Sequence, residues 1–205
     1  MRPVTALRTL ALLYACPLAW TFVVDSKAPA RYTLLVQIDN PVSERTLGEI
    51  RSELNSVMKT TQWDFELLLF SEMVPNQEFR DLVVVRLKGD CRMGALPTRR
   101  QEGPLAFAHT SDGQVLPFMD VFCDRIRATI RPVMWGDHYR RVDEIMGRAL
   151  ARVIAHELYH IIGNTCEHAD SGIANHTLSG EQLVCDQFDF DLESLDVIVS
   201  GTGGG

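Results

Sequence analysis

The stretch ALARVIAHELYHIIGNTCEHADSGIANH, from Ala149 to His176, constrains this chain more than any other. Apolar residues at Val142, Ile145, Met146, Ala149, Leu150, Val153 and Ile154 recur at three- and four-residue steps. That period predicts a long helix from about Tyr139 to Ile162. Gly163-Asn164 is expected to end it, because glycine accepts the left-handed conformation at a helix C-terminus. The same helix carries His156, Glu157 and His160, with "ARVIA" before them and "II" after. Burying two imidazoles and a carboxylate costs on the order of several kcal/mol unless they are paired or hold a metal.

The spacing fits a metal. Residues four apart in an α-helix differ by about 40° in azimuth and about 6 Å along the axis, so His156 and His160 point the same way. Two imidazole nitrogens can then share one zinc ion at ~2.0–2.1 Å. Glu157 sits about 100° around the helix from His156, off the ion but within reach of a water on it. Zinc lowers the pKa of such a water to roughly 7, and the carboxylate is placed to take its proton as the water attacks a carbonyl. The pattern His-Glu-x-x-His thus separates two ligands from one general base, Glu157.

A third ligand must come from the chain after Gly163. Cys166, His168, Asp170 and His176 follow His160 by six, eight, ten and sixteen residues. A thiolate from Cys166 would bind zinc well but would add negative charge, which weakens the ion as a Lewis acid and suits a structural site. A neutral His168 leaves the site cationic. His168 is therefore the favoured third ligand, Cys166 the alternative, then Asp170 and His176. Asn175-His176-Thr177 also reads as a glycosylation sequon in a eukaryotic source.

The rest of the chain reads as one α+β domain. "RYTLLVQID" (31–39), "DFELLLF" (64–70) and "DLVVVRLKG" (81–89) are β-rich, and the last is apolar enough to be central. Between the first two, Ser43 can cap an amphipathic helix whose inner face holds Leu47, Ile50, Leu54, Val57 and Met58. "LAFAHT" (105–110) and "VLPFMDVF" (115–122) flank the turn signal "SDGQ", and Pro117 argues that the second lies at a sheet edge. "DRIRATIRPV" forms a helical piece that Pro132 stops, and "SGEQLVCDQF" a last helix capped by Ser179. No repeat and no second domain is visible; residues 31–198 are the expected domain, and 199–205 a flexible tail.

Residues 1–30 read as a signal peptide. Arg2 and Arg8 precede the apolar run Thr9–Val24, and "APA" at 28–30 offers a small-x-small cleavage site. The run is 16 residues, short for a membrane span. Cys16 after Ala15 leaves a lipid anchor as the lesser option, since Tyr14 fits a lipobox poorly; an uncleaved anchor is the other. The expected location is secreted, periplasmic or cell envelope, with no transmembrane domain after signal removal. The formal charge is −7, and without residues 1–30 it becomes −9, with 17 basic and 26 acidic side chains left. No Lys/Arg cluster appears, which argues against nucleic acid or an anionic membrane as partner. Cys91, Cys123, Cys166 and Cys185 remain, enough for two disulfides with three possible pairings, free thiols being the other reading.

"HELYHIIGNTCEH" resembles the zinc motif of metzincin-type peptidases, His-Glu-x-x-His-x-x-Gly-x-x-His. His156, Glu157, His160 and Gly163 match, while Cys166 stands where the third histidine would fall. The chain is more similar to small exported bacterial proteins of metzincin-like appearance, with "F-x-DR", a His eight residues after the motif and a "Gly-Ile-Met" segment. "FCDRI" (122–126), His168 and "SGIA" (171–174) take those places, with Ala174 where the methionine beneath the metal would stand. The resemblance covers most of the mature chain, though only the metal motif in it is specific. It implies a zincin-like fold: a mixed twisted sheet over an active-site helix, then a metal-binding loop and a C-terminal helix. It also implies a monomeric zinc-dependent endopeptidase with ligands His156, His160 and His168 and base Glu157, acting on a peptide or protein substrate held along an edge strand, for which "LAFAHT" is the candidate. His109 on that segment is expected to be a plain surface residue, and Tyr159 to lie in the core. The main alternative is a non-catalytic zinc-binding exported module with a degenerate metzincin site, and a third is a metal-free scaffold held by disulfides.

Overall fold

A computed structural model describes residues 30–61, 63–94 and 102–200. The signal-peptide, cleavage-site and Cys16 expectations lie outside these residues, as does the tail beyond Ser200. Among the described residues no helix is long and apolar enough to cross a membrane.

The chain is a mixed α+β domain around one five-stranded sheet. In chain order its elements are β1 (Ala30–Ile38), α1 (Glu44–Val57), β2 (Trp63–Leu69), β3 (Asp81–Lys88), β4 (Ala106–Ser111) and β5 (Gln114–Phe122). Then follow α2 (Cys123–Ile130), α3 (Val142–Gly163), α4 (Gly180–Val184) and α5 (Leu192–Ser200). The strand order is β2-β1-β3-β5-β4, with β4 the one antiparallel member. As its apolar run predicts, β3 is the central strand. Alternate residues Val83, Val85 and Leu87 point into the core, which they share with Ile50 and Leu54 of α1 and Leu150 and Ile154 of α3. Burying each such side chain contributes about 1.5–3 kcal/mol.

α1 begins at Ser43, whose hydroxyl accepts from the Thr46 amide at 3.1 Å. It crosses α3 at Gly147, where an added Cβ would stand 2.7 Å from the Thr46 carbonyl oxygen. Cys91 and Cys123 are disulfide-bonded, which ties the loop after β3 to the start of α2.

Several expectations need correction. Pro117 does not mark a sheet edge: β5 lies between β3 and β4. Its pairing with β3 begins at Phe118, and the register against β4 slips between Ala108 and Thr110, so Pro117 sits where neither neighbour needs an N–H from it. The helix expected over "SGEQLVCDQF" stops at Val184 as α4, and a further helix that was not expected, α5, follows and takes in Val199 and Ser200. Gly163 does not turn the chain; Asn164 takes the left-handed conformation, at φ 43°. Gly163 instead lets α5 approach, since a Cβ there would lie 2.8 Å from Val197. Of the two readings left open for the cysteines, Cys166 and Cys185 follow the second: both are free thiols.

Candidate metal centre

α3 carries a stripe of four buried polar residues at four-residue steps: Arg148, Arg152, His156 and His160. The step of 400° drifts only about 40° per turn, so the stripe runs along one side of the helix. Its two halves are satisfied differently. Arg152 pairs with Glu53 at 2.7 Å and donates to the Gln182 carbonyl at 2.6 Å. Arg148 meets Asp186 at 3.0 Å and the Val184 carbonyl at 3.0 Å. The arginines thus fasten the α4 segment to α3. Among the described residues no carboxylate is bonded to either histidine.

His156 Nδ1 is 2.8 Å from the Ile173 carbonyl oxygen, and His160 Nδ1 is 2.8 Å from that of Thr165. A carbonyl can only accept, so each Nδ1 carries the proton. Each neutral ring then presents a lone pair on Nε2, and the two Nε2 atoms face each other at 3.2 Å. A proton between them is disfavoured, because burial pushes His156 down to about 4, with the neighbouring imidazoles acting in the same direction, and burial also lowers His160. Two lone pairs at this distance call for a cation. The separation matches two nitrogens held tetrahedrally by one ion at ~2.1 Å, about 3.4 Å apart.

The chain after α3 brings in a third ring. Asn164 reverses direction, and its side-chain oxygen accepts from the Val115 amide at 3.0 Å, which fixes the turn to β5. Four residues on, the exposed ring of His168 stacks on His156 at 5.3 Å and meets His160 edge-on at 4.7 Å. The ligand atoms of His156, His160 and His168 lie within 4.8 Å of one another and could hold a metal ion. Among the described residues no other such group of His, Cys, Asp and Glu occurs. Cys166 and Asp170 are exposed and stand outside it, and His176 is also outside it, with its ring 4.8 Å from that of His168. Ala174 is buried beneath the loop, and its carbonyl accepts from the Ala169 amide at 3.0 Å.

Glu157 points elsewhere, as its position on the helix requires. Its Oε2 accepts from the backbone N–H of Ala108 at 2.6 Å. Burial pushes Glu157 up to about 7, against the lowering effect of the Ala108 N–H. Ala108 lies on the free edge of the sheet. The Phe122 amide donates to the Leu105 carbonyl, so in this register Ala106 and Ala108 turn their amides and carbonyls away from β5. Beside them runs a cleft of about 760 Å³ that contains the three histidines, Glu157 and the apolar side chains of Val153 and Leu178.

Nothing in the sequence marks the Ala108–Glu157 contact. The arginines could have been found, since they extend the i, i+4 series that the histidines continue. Tyr159 is buried against Phe190, their ring centroids 6.3 Å apart. His109 is not a plain surface residue: it is partly buried beside Asp120, at 3.4 Å, between the rings of Phe107 and Phe118. No family model matches the chain, and no curated protein matches it.

Proposed function

We propose that this chain is an exported zinc-dependent endopeptidase of metzincin-like, zincin-type architecture. The observation that carries the reading is the facing pair of Nε2 lone pairs on His156 and His160, with His168 beside them and a buried carboxylate one residue from His156. Three neutral imidazoles suit zinc, and the ligands would be His156, His160 and His168. When bound, zinc would supply a Lewis acid that lowers the pKa of water to roughly 7 and polarises a carbonyl.

The protein's own groups supply the rest. Glu157 is the general base: it takes a proton from the attacking water and returns it to the departing amine. In the metal-free site burial raises this carboxyl to about 7, and a bound cation beside it would favour the ionised form that accepts the proton. The outward amide and carbonyl of Ala106 and the carbonyl of Ala108 offer an extended peptide one more strand to pair with. That pairing selects peptide backbone over other carbonyl substrates. The Cys91–Cys123 disulfide fits an oxidising, exported setting.

The test is hydrolysis of an unfolded general protein substrate by the zinc-loaded full chain. Cleavage that a metal chelator stops and added zinc restores is expected, and Glu157→Gln should keep its zinc while losing turnover. Bound zinc with no cleavage would favour the non-catalytic module instead.

A further inference from the structure

Four imidazoles, not three, border the cleft. His176 lines it together with Glu157 and the histidine trio, yet its nitrogens are not part of the converging set. Its ring centroid lies 4.8 Å from that of His168, which puts it beside the metal centre without bringing it into it. The backbone that bears it is held on both sides. Asn175 Nδ2 donates to the Asp170 carbonyl at 2.7 Å, and Asn175 Oδ1 accepts from the Thr177 amide at 2.9 Å. His176 Nδ1 faces the Thr177 hydroxyl at 3.3 Å, which leaves Nε2 as the nitrogen for another partner.

We propose that His176 is a further catalytic residue, donating a hydrogen bond from Nε2 to the oxygen that becomes negative when water adds to the substrate carbonyl. The inference rests on the hydrolytic reading of the site. In that step a bond forms between the water oxygen and the carbonyl carbon, and Glu157 takes the water proton. The π pair of the carbonyl moves onto its oxygen, where the His176 N–H donates without giving up its proton. Collapse of the tetrahedral species breaks the C–N bond, and the amine leaves with the proton from Glu157. A donor aimed where charge develops binds the transition state more strongly than the substrate, so its effect falls on kcat.

The test compares the zinc-loaded full chain with His176→Phe and His176→Gln. Three quantities are read: zinc affinity by chelator competition, affinity for a phosphinic peptide that mimics the tetrahedral oxyanion, and kcat with KM. His176→Phe should bind zinc as the wild type does. It should lose about 100-fold in phosphinic-peptide affinity and in kcat with KM little changed, and His176→Gln, which keeps an N–H donor, should recover part of both. Unchanged phosphinic-peptide affinity and kcat in His176→Phe would overturn the proposal. A tenfold or greater fall in zinc affinity would overturn it too, making His176 a ligand. A wild-type chain that binds zinc but neither cleaves peptides nor binds the phosphinic peptide would sink the hydrolytic reading and this proposal together. An active wild type with indifferent variants would sink the role of His176 alone.

Discussion

Glu157 on α3 reaches across to β4, where its Oε2 lies 2.6 Å from the backbone nitrogen of Ala108. One carboxylate therefore joins the helix that bears two of the three histidines able to hold a metal ion to the strand edge that faces the cleft. The contact sets the height of the edge strand above α3 and holds the carboxylate beside the trio.

Replacing Glu157 by Gln keeps an oxygen for the Ala108 amide and removes the base. Hydrolysis should fall about 10²–10⁴-fold, the usual contribution of a positioned base, while zinc content changes little. Steady-state kinetics and metal analysis on the same preparation check this. Turnover within tenfold of wild type would show that another group takes the proton.

His156 and Glu157 give the metal-free protein opposing pH dependences. His156, held near 4 against an ordinary 6.5, costs stability as pH falls through that window, because the unfolded chain takes up the proton first. Glu157, raised from 4.5 to about 7, costs stability as pH rises through its window, because the unfolded chain releases the proton first. Between 4.5 and 6.5 the two slopes nearly cancel. Glu157→Gln should expose the histidine slope. In denaturant titrations the difference in stability between variant and wild type should then shift by about 1.4 kcal/mol per pH unit, disfavouring the variant as pH falls. A difference independent of pH would contradict it.

Much of this architecture can be read from the residues. The apolar period of α1 and α3 places both helices, the continuous run in β3 makes it central, and the four-residue spacing of His156 and His160 puts them on one side of α3. What cannot be read depends on contacts between distant segments. Asn164, not Gly163, adopts the left-handed turn because its side-chain oxygen has a partner in Val115, 49 residues away. Pro117 is tolerated beside the central strand because a register slip there removes the need for its amide. α5 is obscured by the β-branched run Val197-Ile198-Val199. Its inward stripe pairs one polar residue, Ser194, with Ile198, although Asp191, which accepts from the Ser194 amide at 2.8 Å, is a capping signal. The acceptors at Ile173 and Thr165 that orient the two histidines are backbone carbonyls, which carry no side-chain signature.

Asn164→Ala should destabilise the protein by about 1–3 kcal/mol, combining left-handed strain on a residue with a Cβ and one lost hydrogen bond. Asn164→Gly should cost less, because it keeps the backbone and loses only the bond to Val115. The turn also places the Thr165 carbonyl against His160, so zinc affinity should fall in the same order. Equal stability for the Ala and Gly variants would show that the backbone conformation contributes nothing.

Arg152→Met should cost about 3–5 kcal/mol, because Glu53 would be left nearly buried without its partner. The double variant Arg152→Met/Glu53→Leu should recover much of that loss. A double variant no more stable than the single one would place the energy elsewhere, in the bond from Arg152 to the Gln182 carbonyl.

X-ray absorption at the zinc edge of the purified, zinc-loaded chain tests the centre most directly. Wild type is expected to bind one ion with three nitrogen donors at about 2.0–2.1 Å and one light oxygen-type donor. His168→Ala should lose one nitrogen and most of its affinity. A sulfur donor at about 2.3 Å would place Cys166 in the ligand set, and a wild-type spectrum with that donor, or a chain that binds no zinc at all, would contradict the three-imidazole centre.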